Sequence, residues 1–192
     1  MPHENPFIDF VSAYVKVSDE EMQVIAERIH HRSYSKNDII HHQGDIPRTL
    51  AFVIKGAVRV YYTDEGGNEQ TINFLFENHP LVAFDSFATQ TPSGFSAMAL
   101  EPTELIWTSH MEFFGFLEQY PKFETAVRSV MGHYMGMNVE HSKLLRINPA
   151  RDRYEALCKA RPELMTRVPL KHLASYIGMT LETLSRVRAG KL

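Results

Sequence analysis

The sequence predicts an α+β protein in three parts: an N-terminal jelly-roll-like β-barrel, a long helix, and a C-terminal helix-turn-helix. Three observations predict it. Between about Tyr34 and Thr108, short runs of β-branched and aromatic residues alternate with turn residues. From Pro121 the apolar residues recur at helical spacing. Finally, Pro169 to Arg188 reads as two short helices around a tight turn.

Ahead of the barrel, Ser18-Asp-Glu-Glu21 forms a capping box, with Met22, Ile25 and Ile29 on one face of the helix it starts. The strand signals follow: Thr49–Ile54, Ala57–Tyr62, Gln70–Phe76 and Glu104–Thr108. Gln43-Gly-Asp45, Lys55-Gly56, Asp64-Glu-Gly-Gly67 and Thr91-Pro-Ser-Gly94 separate them. Gly66-Gly67 between two strands is a hairpin signal. Strict alternation along Ala57–Tyr62 places Arg59 toward solvent.

In the long helix, Phe123, Val127, Val130, Tyr134, Met137, His141 and Leu144 are spaced 4, 3, 4, 3, 4, 3. A regular 3.5 repeat selects a partner helix, so these seven are assigned to the seam of a homodimer. The competing reading is a long helix packed on its own barrel. Asn148-Pro149 ends the helix, because proline disfavours helical geometry before it. Residues 150–161 form a further helix with Tyr154, Leu157 and Cys158 inward. The domains are therefore set at 1–120, 121–147 and 148–192.

In the C-terminal motif, Pro169 suits a first helical turn, and Leu170, Leu173, Ala174 and Ile177 make one apolar face. Gly178 supplies the left-handed turn and Thr180 caps the next helix. In that helix Leu181, Leu184 and Val187 cluster on one side, Glu182, Ser185 and Arg186 on the other. A buried side opposite a carboxylate and a guanidinium is what reading base edges in a major groove requires. Glu182 would accept from a cytosine amino group, Arg186 would donate to guanine, and Ser185 would discriminate a neighbouring base. Lys171, His172, Thr180, Arg188 and Lys191 are the candidates for phosphate contacts. An ordinary helical hairpin is the alternative. A wing strand after the second helix stays open, because the sequence ends at Leu192.

Charge agrees with this division. Residues 1–142 carry 9 Lys and Arg against 19 Asp and Glu, a net −10; residues 143–192 carry 11 against 4, a net +7. A basic module on an acidic body suits a polyanion at one end. The single cysteine, Cys158, excludes an intrachain disulfide and a four-cysteine metal or iron–sulfur site. Met1-Pro-His-Glu-Asn-Pro6 lacks a basic region followed by an apolar core, and no apolar run spans a bilayer. The expectation is a soluble cytoplasmic protein without membrane partners. His30, His31, His41 and His42 are read as solvated, since adjacent strand residues point to opposite faces. No metal or other cofactor is expected.

This order of elements resembles the cyclic-AMP receptor protein and fumarate–nitrate regulator (Crp/Fnr) family of bacterial transcription factors, over nearly the whole chain. Gly44 and Gly56 sit where members turn between early strands, and Asp64-Glu-Gly-Gly67 with Glu69 resembles the family's hairpin. Gly178-Met-Thr-Leu-Glu-Thr-Leu-Ser-Arg186 is similar to the recognition helix of the oxygen-responsive branch, with Glu182, Ser185 and Arg186 on its Glu-x-x-Ser-Arg pattern. Val168 to Gly178 looks like members from the Bacteroidetes. The resemblance implies a cyclic-nucleotide-binding-like sensor domain and a winged helix-turn-helix. It also implies a homodimer on palindromic double-stranded DNA and RNA polymerase as a further partner. In members that bind cyclic AMP, Gly-Glu-Leu is followed about ten residues later by Arg, which pairs with the phosphate. Here the region is Phe84-Asp85-Ser86, then Ser93-Gly-Phe95-Ser96-Ala97, with no Arg. Phe84, Asp85, Ser86, Phe95 and Ser96 are therefore the effector-pocket candidates, and cyclic AMP in the usual mode is not expected.

Two other functions compete. A metal-dependent enzyme on a cupin-like barrel would need converging His and Glu ligands, and no tight His-x-His motif occurs. An effector-binding dimer without DNA binding is opposed by Glu182 and Arg186.

Overall fold

The computed structural model describes residues 5–191. Part of the leader reading, on residues 1–4, and the chain end at Leu192 lie outside the described residues. The chain divides into two compact units that do not follow chain order. The first holds the residues up to Val60 and Phe74–Met131; the second holds Tyr61–Asn73 and the residues from Gly132.

The first unit opens with two helices, α1 (Pro6–Ser12) and α2 (Asp19–Glu27). Ser18 and Glu21 form the expected capping box on α2. Among the described residues the chain then runs through eight short strands, the β4–β5 tip belonging to the second unit: β1 (His30–Tyr34), β2 (Ile39–His41), β3 (Thr49–Lys55), β4 (Val58–Thr63), β5 (Glu69–Leu75), β6 (Pro80–Leu81), β7 (Ser96–Ala99) and β8 (Thr103–Ser109). They form two four-stranded sheets, ordered β1-β8-β3-β6 and β2-β7-β4-β5. In the first sheet β1 with β8, β8 with β3 and β3 with β6 pair antiparallel, as does β2 with β7 in the second. The short helix α3 (Phe84–Thr89) interrupts the strands, and α4 (His110–Gln119) follows them. Phe52, Val53, Val58, Phe74, Phe87, Leu105 and Ile106 fill the interior. This is a mixed α+β jelly-roll: the strand spacing predicts a sandwich or barrel, and the family resemblance implies the jelly-roll.

Arg59 corrects the sequence reading. It is 1% exposed, because β4 is buried at four consecutive positions and period-two alternation fails there.

The long helix α5 spans Phe123–Leu145. In the second unit it is followed by α6 (Ala150–Ala160), α7 (Leu164–Arg167), α8 (Leu170–Tyr176) and α9 (Leu181–Arg188). Leu157, Leu164, Leu173, Ile177 and Leu184 form the core of this unit. The tip of the β4–β5 hairpin joins it: Ser175 Oγ accepts from the Thr71 amide at 2.8 Å and donates to the Glu69 carbonyl at 3.3 Å. Arg161 also donates to Asn73 Oδ1 at 3.2 Å. Chain order alone assigns residues 61–73 to the N-terminal domain; their contacts lie with the C-terminal helices. Among the described residues no helix is long and apolar enough to cross a membrane, and no strand follows α9.

Candidate nucleic-acid interface and barrel pocket

The helix-turn-helix is held by local chemistry. Gly178 adopts φ +64°, the left-handed turn that a side chain disfavours. Its amide bonds the Ser175 carbonyl at 3.2 Å, and the Met179 amide bonds that of Ala174 at 2.9 Å. Thr180 Oγ1 accepts from the Thr183 amide at 3.1 Å, capping α9. Leu184 and Val187 are buried and anchor the helix from below. Glu182, Ser185 and Arg186 face solvent. Arg186 and Glu182 approach only to 4.0 Å, a loose exposed pair that costs little to separate.

Two placements differ from the sequence reading. Leu181 is 50% exposed rather than buried, because it is the first residue of α9 and precedes the turn that packs. His172 is 6% exposed on the inner side of α8, so it is withdrawn as a phosphate contact. Lys171, Thr180, Arg188 and Lys191 are exposed as that role requires.

The α5 seam is corrected in part. Phe123 is 3% exposed, in a core with Ile8 and Ile25 of its own chain. His141 turns toward Tyr176: its Nε2 donates to the Tyr176 carbonyl at 2.9 Å, and the rings stack at 4.1 Å. Burial pushes the His141 pKa below its ordinary value, opposed by the Tyr176 carbonyl and aided by the Arg161 charge. Met137, His141 and Leu144 line a crevice of about 720 Å³ with Leu157 and Ala160. Val127, Val130 and Tyr134 are half-buried. The apolar side chains that α5 leaves exposed are Met131, Met135 (69%), Val139 (53%) and Leu145. Met131 and Met135 lie one residue, about 100° of helix, beyond Val130 and Tyr134. A 3.5 repeat on an amphipathic helix marks the face that packs on its own chain as readily as one that packs on a partner.

Inside the barrel lies a cavity of about 70 Å³. Of the five effector-pocket candidates only Phe95 lines it. Asp85 is exposed on α3, and Phe84 is half-buried beside it. Ser86 Oγ donates to the Pro92 carbonyl at 3.3 Å, and Ser96 Oγ accepts from the Gln43 amide at 2.9 Å. These four are corrected for this cavity: Phe84, Asp85 and Ser86 lie on α3 and Ser96 on β7, and none of them lines it. The cavity is instead lined by Arg32, Tyr34, His41, Thr49 and Trp107 among apolar side chains. His41 Nε2 is buried and has no hydrogen-bond partner, against the expectation of a solvated ring. Burial lowers the His41 pKa, opposed by the nearby Asp45 carboxylate and aided by His42. The Arg32 guanidinium lies over the Trp107 ring at 5.4 Å.

Residues 31–120 match the family model of the cyclic nucleotide-binding domain. A curated relative, the cyclic AMP receptor protein of Thermus thermophilus, is 27% identical over 175 residues, covering 89% of this chain and 81% of the relative. The structure of FixK2 from Bradyrhizobium japonicum superposes with a TM-score of 0.75 at 17% identity, covering 84% of this chain and 83% of that one. This chain is a homologue of the cyclic AMP receptor protein with the Crp/Fnr fold. The c-di-GMP responsive global regulator CLP of Xanthomonas campestris has the same fold, with a TM-score of 0.73 at 17% identity, covering 90% of this chain and 91% of that one.

In this Crp/Fnr-fold chain the pocket residues that sequence reasoning missed are Arg32, His41 and Trp107. A register shift between Ile39 and His41 lets both Ile40 and His41 line the cavity, which strict alternation forbids. Arg32 meets Trp107 through the β1–β8 ladder, a pairing between strands more than seventy positions apart in sequence (His30 opposite Trp107). Among the described residues no group of three or more His, Cys, Asp or Glu could hold a metal ion.

Proposed function

We propose that this chain is a homodimeric, sequence-specific DNA-binding transcriptional regulator whose barrel is an effector domain that does not bind cyclic AMP in the usual way. The observation that carries the reading is α9. Its Leu184 and Val187 are buried while Glu182, Ser185 and Arg186 stand exposed and weakly paired, ready to exchange solvent for base edges. Leu181, half exposed at the same end, adds an apolar contact suited to a thymine methyl. Lys171, Thr180, Arg188 and Lys191 surround this face with phosphate-contact chemistry. The excess of Lys and Arg after residue 142 supports the same polarity.

The homodimer reading rests on the stripe Met135, Val139 and Leu145, with Met131 one turn earlier on the same helix. A second copy placed along it would bury the exposed methionines and present two copies of α9. Such a dimer reads a palindromic site with half-site centres about 34 Å apart. RNA polymerase is the further partner of this reading.

For the barrel, a cavity of about 70 Å³ is small beside the several hundred Å³ that drug-sized ligands occupy. No arginine lies in Phe84–Ala97 to pair with a cyclic phosphate. One relative is named a receptor protein and one structural neighbour a global regulator, which supports a regulatory rather than an enzymatic role. The experiment is selection of bound duplexes from random DNA by the purified protein. A palindromic consensus with a defined spacing is the expected result; recovery of unrelated sequences would overturn the reading.

A further inference from the structure

We propose that the crevice between α5 and α6 binds an uncharged hydrophobic molecule of drug-like size. The residues that line it all belong to the second compact unit, and none of them lines the barrel cavity. The site goes beyond the regulator reading and does not depend on DNA binding.

Size and walls favour such an occupant. The crevice holds about 720 Å³, about ten times the barrel cavity and within the roughly 300–1,000 Å³ of small-molecule sites. Ile72, Met137, Leu144, Ile147, Leu157 and Ala160 line it with hydrocarbon and one thioether. They come from β5, α5, the turn after α5, and α6. An apolar occupant takes such a wall out of contact with water. Met137, with its flexible and polarizable side chain, fits itself to the shape that enters.

Charge decides against an ionic ligand. The charged side chains in the lining are Glu140, Lys143 and Arg161, and each already faces an opposite charge. Lys143 Nζ donates to Glu140 Oε1 at 2.6 Å. Arg161 Nε donates to Glu163 Oε1 at 2.9 Å, and its Nη1 to Asn73 Oδ1 at 3.2 Å. The His141 Nε2 proton is spent on the Tyr176 carbonyl. An ion entering the crevice would displace one of these partners or leave its own charge uncompensated beside hydrocarbon. A neutral hydrophobic molecule does neither.

A second copy of the chain does not fill this space. At about 100° per residue, Met137 stands about 200° around α5 from both Met135 and Val139, and Leu144 about 180° from Met135. A copy laid on the exposed stripe therefore covers the side of α5 turned away from the crevice. Gly136 adds room, because it lines the crevice and a Cβ there would meet nothing within 4 Å.

Two probes that differ by a single charge test the assignment. Phenylnaphthylamine is neutral, and anilinonaphthalene sulfonate is the same ring system carrying an anion; both brighten on leaving water. The full-length protein, without DNA, is titrated with each. The neutral probe should saturate at about one site per chain with a Kd of roughly 1–100 μM, and the sulfonate should bind at least tenfold more weakly. Gly136→Leu and Ala160→Phe fill the crevice from different helices, and each should weaken the neutral probe at least tenfold. Leucine is the better helix former and meets open space, so Gly136→Leu should not lower the melting temperature. NMR of methyl-labelled methionine locates the probe: the Met137 signal, assigned with Met137→Leu, should shift, and those of Met131 and Met135 should not. Met135→Asp with Val139→Asp should leave probe affinity unchanged. Absence of saturation would overturn the proposal, as would binding that survives both filling substitutions or is lost with charge on the stripe. Equal or tighter binding of the sulfonate would overturn the ligand class. No DNA is present, so failure of the DNA-binding reading leaves the result standing.

Discussion

Gly56 turns the chain from β3 into β4 at φ +102°, where a Cβ would lie 2.5 Å from Thr103 Oγ1 and 2.7 Å from the Pro102 carbonyl. Both backbone strain and overlap oppose any side chain. Gly56→Ala should therefore lower stability by about 1–3 kcal/mol in urea unfolding. Gly44→Ala, also at positive φ but with open space around it, should lose less. Glu112 gives a second residue-scale outcome. Bonds from the Ser109 hydroxyl and amide, then from the His30 ring, hold its carboxyl down to about 2. A folded value below the ordinary 4.5 means the stabilisation is full above that pH and is lost as pH falls toward 2. Glu112→Gln should flatten the dependence of melting temperature on pH in that window. An unchanged acid slope would contradict the capping-box account. His172, buried in α8, is expected to matter for folding and not for the salt dependence of DNA binding.

Among the elements, the hairpin tip and α8 depend on one hydroxyl. Ser175→Ala removes both the acceptor for the Thr71 amide and the donor to the Glu69 carbonyl. The tip should lose about 1 kcal/mol per bond, seen as faster hydrogen exchange at Thr71. On α5, Met135→Asp with Val139→Asp places charge on the exposed stripe without touching the core. Sedimentation should then give a monomer with an almost unchanged melting temperature. A dimer like the parent would contradict the revised seam. Val130→Asp, by contrast, strikes a half-buried position and should lower stability.

For the molecule as a whole, legibility followed sequence distance. Pro169, Gly178 and Thr180 punctuate the helix-turn-helix within a few residues of one another, so local chemistry declared it. The same holds for Ser18 with Glu21. The cavity was hidden because it is assembled by pairings that no local pattern encodes: β1 with β8, and a shifted register at Ile39–His41. The partnership of Ser175 with Thr71 spans 104 residues and was equally silent. The seam on α5 was half legible. Periodicity located the helix, but choosing between its two apolar faces needed the burial that only the fold supplies. The central claim is that α9 reads base edges from an exposed Arg186 on a helix locked by Leu184. Its most direct measurement is the binding of wild type and Arg186→Ala to the selected site and to scrambled DNA across a salt series. The account predicts a loss of about 1–3 kcal/mol on the selected site alone, with the salt slope of scrambled DNA nearly unchanged. Equal losses on both DNAs would contradict it.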